Sequence, residues 1–114
     1  MELNMFDGLW TVEFESTVNR YSQGVVVINN ERILGGDHGY YYCGRCKITS
    51  KKIKADLAIT RYNANASSVF GDLDHFSLTI QGELEDEYLF KARGTIANYP
   101  DIEIYIEGKK KEDL

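Results

Sequence analysis

The sequence predicts an all-β fold, an antiparallel up-and-down barrel of seven or eight strands forming one domain over residues 1–114. Three observations lead there. Apolar and polar residues alternate with period two in one run after another, the spacing that sends successive side chains to opposite faces of a strand. Short turns rich in Gly, Asn, Asp and Ser join the runs, which makes consecutive strands antiparallel neighbours. No segment keeps a 3.6-residue period over three helical turns, which disfavours α/β folds.

The elements follow in order. After a lead-in over Met1–Met5 and a turn at Asp7-Gly8, Trp10, Val12 and Phe14 share one face of a strand from Leu9 to Ser16, against Thr11, Glu13 and Glu15. Asn19–Gly24 reads as a polar connection, Val25–Ile28 as a short β-branched strand, and Asn29-Asn30-Glu31 as a turn. Arg32-Ile33-Leu34 precedes a Gly35-Gly36-Asp37 bend, where glycine lets the chain reverse sharply. Tyr40, Tyr42, Gly44, Cys46 and Ile48 then face one way, and Tyr41, Cys43, Arg45 and Lys47 the other. Beyond the Thr49–Lys52 turn, Ile53, Ala55, Leu57 and Ile59 form the clearest strand. The period breaks from Ala64 to Asp74, where a single helical turn with Val69 and Phe70 would plug one end. Phe76, Leu78, Ile80, Gly82 and Leu84 share the next inner face. After the acidic turn Glu85-Asp86-Glu87 come Tyr88, Phe90, Ala92, Gly94 and Ile96. Ile102, Ile104 and Ile106 close the chain.

Each strand has one apolar face, so the sheet must close on itself or pair with a second sheet; closure also removes exposed edges. A Greek-key sandwich is the alternative, because periodicity does not show which strands pair. The interior of an eight-stranded barrel either fills with side chains or holds one small ligand. Trp10, Phe14, Tyr40, Tyr42, Leu57, Phe76 and Phe90 are the candidate lining of such a cavity, with small residues such as Gly44, Ala55, Gly82, Ala92 and Gly94 between them.

The formal charge of -5 is spread along the chain and argues against nucleic acid as a direct partner, since phosphate binding needs a basic stripe. Lys51-Lys52 with Lys54, and Lys109-Lys110-Lys111, are too short and too mixed to supply one. No run approaches the ~20 apolar residues of a membrane span, and no basic n-region opens the chain, so a cytoplasmic location with reduced thiols is expected. Cys43 and Cys46 form a Cys-x-x-Cys, but inside a strand their three-residue spacing puts them on opposite faces, which suits neither a disulfide nor one zinc. Asp37-His38 and the Asp72–His75 loop read as turn and rim residues. No nucleophile has a base at a telling spacing, and no phosphate-binding glycine loop occurs. The chain therefore reads as a non-enzyme with no catalytic, cofactor-binding or metal-binding residues.

For partners, Glu85, Asp86 and Glu87 form the densest acidic patch, suited to a basic protein surface. Tyr41 and Tyr105 lie on outward faces, and tyrosine is enriched in interfaces, so both are candidates for a sheet-to-sheet homodimer contact.

Gly8–Phe14, Gly24–Val27, Gly35-Gly36-Asp37, Tyr40-Tyr41-Tyr42-x-Gly44, Arg61-Tyr62-Asn63 and Ser68–Gly71 together resemble the family of the type III secretion negative regulator GrlR and its bacterial relatives. That resemblance, from Gly8 to Ile106, implies a lipocalin-like barrel with a small helical plug, a hydrophobic cavity, a homodimer, and restraint of a transcriptional regulator by direct contact. The expected function is a regulatory or protein-binding module. The alternative is a carrier or sensor of a small apolar ligand.

Overall fold

The structure, a computed structural model, describes residues 6–17, 21–65 and 73–114. Eight strands follow one another round a closed barrel: β1 (Gly8–Ser16), β2 (Tyr21–Asn29), β3 (Arg32–Gly36), β4 (Tyr40–Thr49), β5 (Lys52–Arg61), β6 (His75–Asp86), β7 (Leu89–Ile96) and β8 (Tyr99–Asp113). Each is antiparallel to the next, and β8 returns to β1 in a register running from Gly8↔Asp113 to Ser16↔Ile104. This closing pair rules out the sandwich.

The turns show how little chain a reversal needs. Asn30 and Glu31 join β2 to β3, and Ser50 and Lys51 join β4 to β5, each pair with positive φ at both positions (53° and 68°, 50° and 69°). Two-residue loops of that shape match the right-handed twist of the flanking strands.

The helical plug requires correction. Among the described residues there is no helix, and Val69 and Phe70 lie in the stretch 66–72, outside the described residues. An aromatic side chain instead stops the end of the barrel where β1 begins. Phe6 is buried, its ring centroid 5.2 Å from that of Trp10 and 5.9 Å from that of Phe90. Its carbonyl accepts the Trp10 indole N–H at 2.9 Å.

Three boundaries also move. The polar segment Tyr21–Gly24 belongs to β2, paired with β1 through Glu15↔Tyr21, Phe14↔Ser22, Glu13↔Gln23 and Val12↔Gly24. It reads as a loop because β3 reaches only the Val25↔Gly36 pair, which leaves this part of β2 less covered. Tyr88 is 59% exposed rather than inward, because it belongs to the β6–β7 turn, where period two does not apply. β8 does not stop at Ile106 but runs on through Lys109–Lys111 to Asp113.

The core is one cluster lining the barrel axis, with Trp10, Tyr42, Ile28, Ile59, Leu78 and Ile104 fully buried. Burying a large apolar side chain contributes ~1.5–3 kcal/mol, so the inner face supplies most of the cohesion.

Candidate functional site

All seven residues expected to line the interior are buried, Trp10 at 0% and Tyr42 at 1% exposure. Their rings pack against each other. The Trp10 and Phe90 centroids lie 5.2 Å apart, Phe14 meets Tyr42 edge-on at 5.7 Å, and Tyr40 meets Phe76 at 6.3 Å. These are the separations of favourable aromatic pairs. Small residues fit into the large ones rather than leaving space. A side chain carbon on Gly108 would run into the Phe90 ring, and one on Gly24 would meet the Tyr42 hydroxyl at 2.9 Å. Of the grooves of about 630, 520 and 450 Å³, the first is bordered by Phe14 with Gly82, Ala92 and Ile106 from the inner face, while Trp10, Tyr40, Tyr42, Leu57, Phe76 and Phe90 line none of the three.

Two of the segments that carry the family resemblance meet at the opposite rim. The Asp37 carboxylate accepts the Gly39 and Tyr40 N–H groups at 2.9 and 2.8 Å through Oδ1, and the Tyr42 hydroxyl through Oδ2. The Tyr62 hydroxyl donates to the Asp37 carbonyl, and the Tyr62 and Asn63 N–H groups donate to the Gly39 carbonyl at 2.9 and 3.3 Å. Arg61 lies over the Tyr40 ring, 5.6 Å from its centroid, and pairs with Asp74 at 3.1 Å. Gly-Gly-Asp and Arg-Tyr-Asn thus form a clasp between the β3–β4 turn and the end of β5. Burial, reinforced by the Asp37 carboxylate, pushes the Tyr42 hydroxyl above its ordinary value and keeps it protonated. The clasp is structural.

The outer wall is divided. Read across the strands, one row is Leu9, Val27, Leu34, Cys43 and Ala58, and the next is Thr11, Val25, Gly36, Tyr41 and Thr60. Neither row contains a charge over five adjacent strands. Val25, Val27, Leu34 and Tyr41 are 46, 37, 44 and 50% exposed. The opposite wall alternates in sign, as in the run Lys52, Glu83, Lys91 and Glu107 from β5 to β8. Opposite charges on facing strands support a solvated sheet.

This division separates the two tyrosines proposed as one contact. Tyr41 sits on β4 within the uncharged rows. Tyr105 sits on β8, four strands away in a ring of eight, under the Arg93 guanidinium at 5.6 Å. One flat partner cannot cover both. Glu85, Asp86 and Glu87 are all exposed at the β6–β7 hairpin, where Asp86 accepts the Tyr88 N–H at 2.7 Å. The neighbouring strand end carries Lys109, Lys110 and Lys111, whose first member is the register partner of Leu89.

Cys43 is half-buried on the outer face and Cys46 is buried inside, its thiol pushed up to about 11 by burial and then by Glu31 and Asp7. The Thr60 hydroxyl and His75 Nδ1 meet at 2.8 Å on the outer wall. Among the described residues no group of three His, Cys, Asp or Glu side chains could hold a metal ion, and no helix is long and apolar enough to cross a membrane.

The uncharged rows are the feature that reasoning along the chain missed. Their members are scattered from Leu9 to Ala58, and only the strand register aligns them. The chain matches no model of a known protein family and no curated protein.

Proposed function

We propose that the protein is a non-enzymatic regulatory module acting by protein contact, and that a second copy of itself covers the uncharged outer face centred on β2–β4. The single observation carrying this reading is the pair of charge-free rows. Over β2–β4, at about 4.8 Å between strands and about 7 Å between same-face residues, they present a patch of about 14 Å by 14 Å. That is a suitable centre for an interface of about 800 Å² per partner. Non-obligate interfaces are no more apolar than ordinary surface, whereas homodimer interfaces are more apolar and their centres are depleted of charge. Gln23, Asn29 and Arg32 border the rows and would supply the polar rim.

The resemblance to the GrlR family supports a regulatory role exercised on a transcriptional regulator, and the net charge of -5 argues against direct contact with nucleic acid. A cytoplasmic location with reduced thiols fits that role. The interlocked aromatic rings give the ligand-carrier alternative no support.

Sedimentation equilibrium tests the dimer. Wild type should sediment as a dimer at micromolar concentration, Leu34→Asp as a monomer, and Tyr105→Asp, on the opposite wall, as a dimer. A monomeric wild type, or equal behaviour of the two variants, overturns the reading.

A further inference from the structure

Beside the uncharged rows, towards the β4–β5 hairpin, the wall becomes strongly basic. Arg32, Arg45, Lys47, Lys51, Lys52 and Lys54 are all exposed, six of the chain's 13 Lys and Arg residues on three adjacent strands and one turn. Two of the facing positions bring like charges directly opposite: Arg32↔Arg45 and Lys47↔Lys54. Side chains in such pairs stand about 5 Å apart, and like charges there destabilise the sheet. Among the described residues none of the six makes an ion pair. Asp56, the register partner of Arg45, accepts the Thr79 hydroxyl at 3.3 Å instead. With Asp56 facing Arg45 and Glu83 facing Lys52, the excess positive charge of this surface rests on Arg32, Lys47, Lys51 and Lys54.

We propose that this hairpin surface docks an acidic peptide segment of a partner protein. Arg45 and Lys47 on β4, like Lys54 and Lys52 on β5, stand about 7 Å apart, the same-face spacing of an extended chain, so carboxylates on one face of a peptide strand would match them. The field is compact and bounded by carboxylates, with Glu31 in the adjoining turn, Glu83 opposite Lys52, and Glu85 beyond. A phosphate backbone would have to run over those acids, whereas a short peptide ends before them. Apart from Arg32, which borders the dimer contact, the surface lies outside the rows assigned to the dimer.

Fluorescence anisotropy with a labelled dodecapeptide of Asp and Glu tests this, with labelled single-stranded DNA and phosphatidylserine vesicles as competing probes. The peptide should bind, should weaken steeply between 50 and 200 mM salt (roughly the range over which screening takes effect), and should lose at least about tenfold in affinity (~1.4 kcal/mol) in Lys47→Glu/Lys54→Glu. Arg93→Glu, on the alternating wall, should bind as wild type does. Thermal melting serves as the folding control: the double variant exchanges one facing like-charge pair for another, so its melting temperature should stay close to that of wild type. Absence of peptide binding, equal loss in Arg93→Glu, or tighter binding of DNA or vesicles overturns the proposal. Sedimentation of the same samples reports the dimer separately, so each reading fails on its own measurement.

Discussion

Replacing Gly108 with alanine tests whether the barrel interior is solid. Gly108 faces inward on β8, opposite Phe90 on β7. The added methyl would be built into the Phe90 ring, against Cε2 and Cζ, with Cδ2 at 2.7 Å. Carbon atoms pack at about 3.5–4.0 Å, so the ring must move by about 1 Å or more. It has little room, because the rings of Trp10 and Phe6 lie 5.2 and 5.9 Å from it and Trp10 is wholly buried. Overpacking a tight core costs about 1–3 kcal/mol, and this site belongs in the upper half of that range. With an unfolding entropy of about 2.1 cal/mol/K per residue, each kcal/mol lowers the melting temperature of a chain of this length by about 4 °C, giving an expected fall of about 8–12 °C. Urea unfolding monitored by Trp10 fluorescence gives the free energy independently. Phe90→Leu should destabilise alone, and the double variant should lose less than the sum of the two, because a smaller side chain accepts the methyl. A cost for Gly108→Ala below about 0.5 kcal/mol would show slack beside Phe90, and the solid-interior argument against a bound ligand would fail with it.

Two further outcomes follow from the rim and the thiols. Asp37→Ala removes the acceptor for two N–H groups and strands the buried Tyr42 hydroxyl, so it should cost about 2–4 kcal/mol in urea unfolding; a loss under about 0.5 kcal/mol would show that the clasp is not cohesive. Cys46 has a folded pKa raised from 9.0 to about 11, so its contribution to stability is complete below about pH 9 and is lost as pH rises towards 11. Cys46→Val should flatten that part of the stability–pH curve, and a thiol reagent should modify Cys43 in the native protein but Cys46 only on unfolding.

The strands were readable because their inner faces repeat without interruption: Ile53, Ala55, Leu57 and Ile59 alternate with exposed or half-buried residues. The Cys-x-x-Cys was readable for the same reason, since parity alone separates Cys43 from Cys46. Parity fails where strands stop, which explains Tyr88, and it says nothing of a polar strand such as Tyr21–Gly24, whose partners are supplied by β1. Phe6 falls between the Met1–Met5 lead-in and the Asp7-Gly8 turn with no assignment, because one aromatic residue has no period. The surface was the least legible part. Leu9 and Ala58, or Arg32 and Arg45, become neighbours only through pairings between strands, and periodicity along one strand does not encode those. Tyr41 and Tyr105 show the converse error, two similar outward residues that the ring sets on opposite walls.

The pairing of Gly8 with Asp113 has a kinetic consequence. Every other junction in the wall joins strands consecutive in the chain, whereas this seam joins positions 105 residues apart. Loop-closure entropy grows only logarithmically with length, so the seam adds little to the equilibrium cost of folding. It does set the order of events, since local hairpins form in microseconds while contacts of wide sequence separation come late. Until β8 zips onto β1, both strands present bare edges to the surrounding solution, and that interval is when one chain is most prone to capture another.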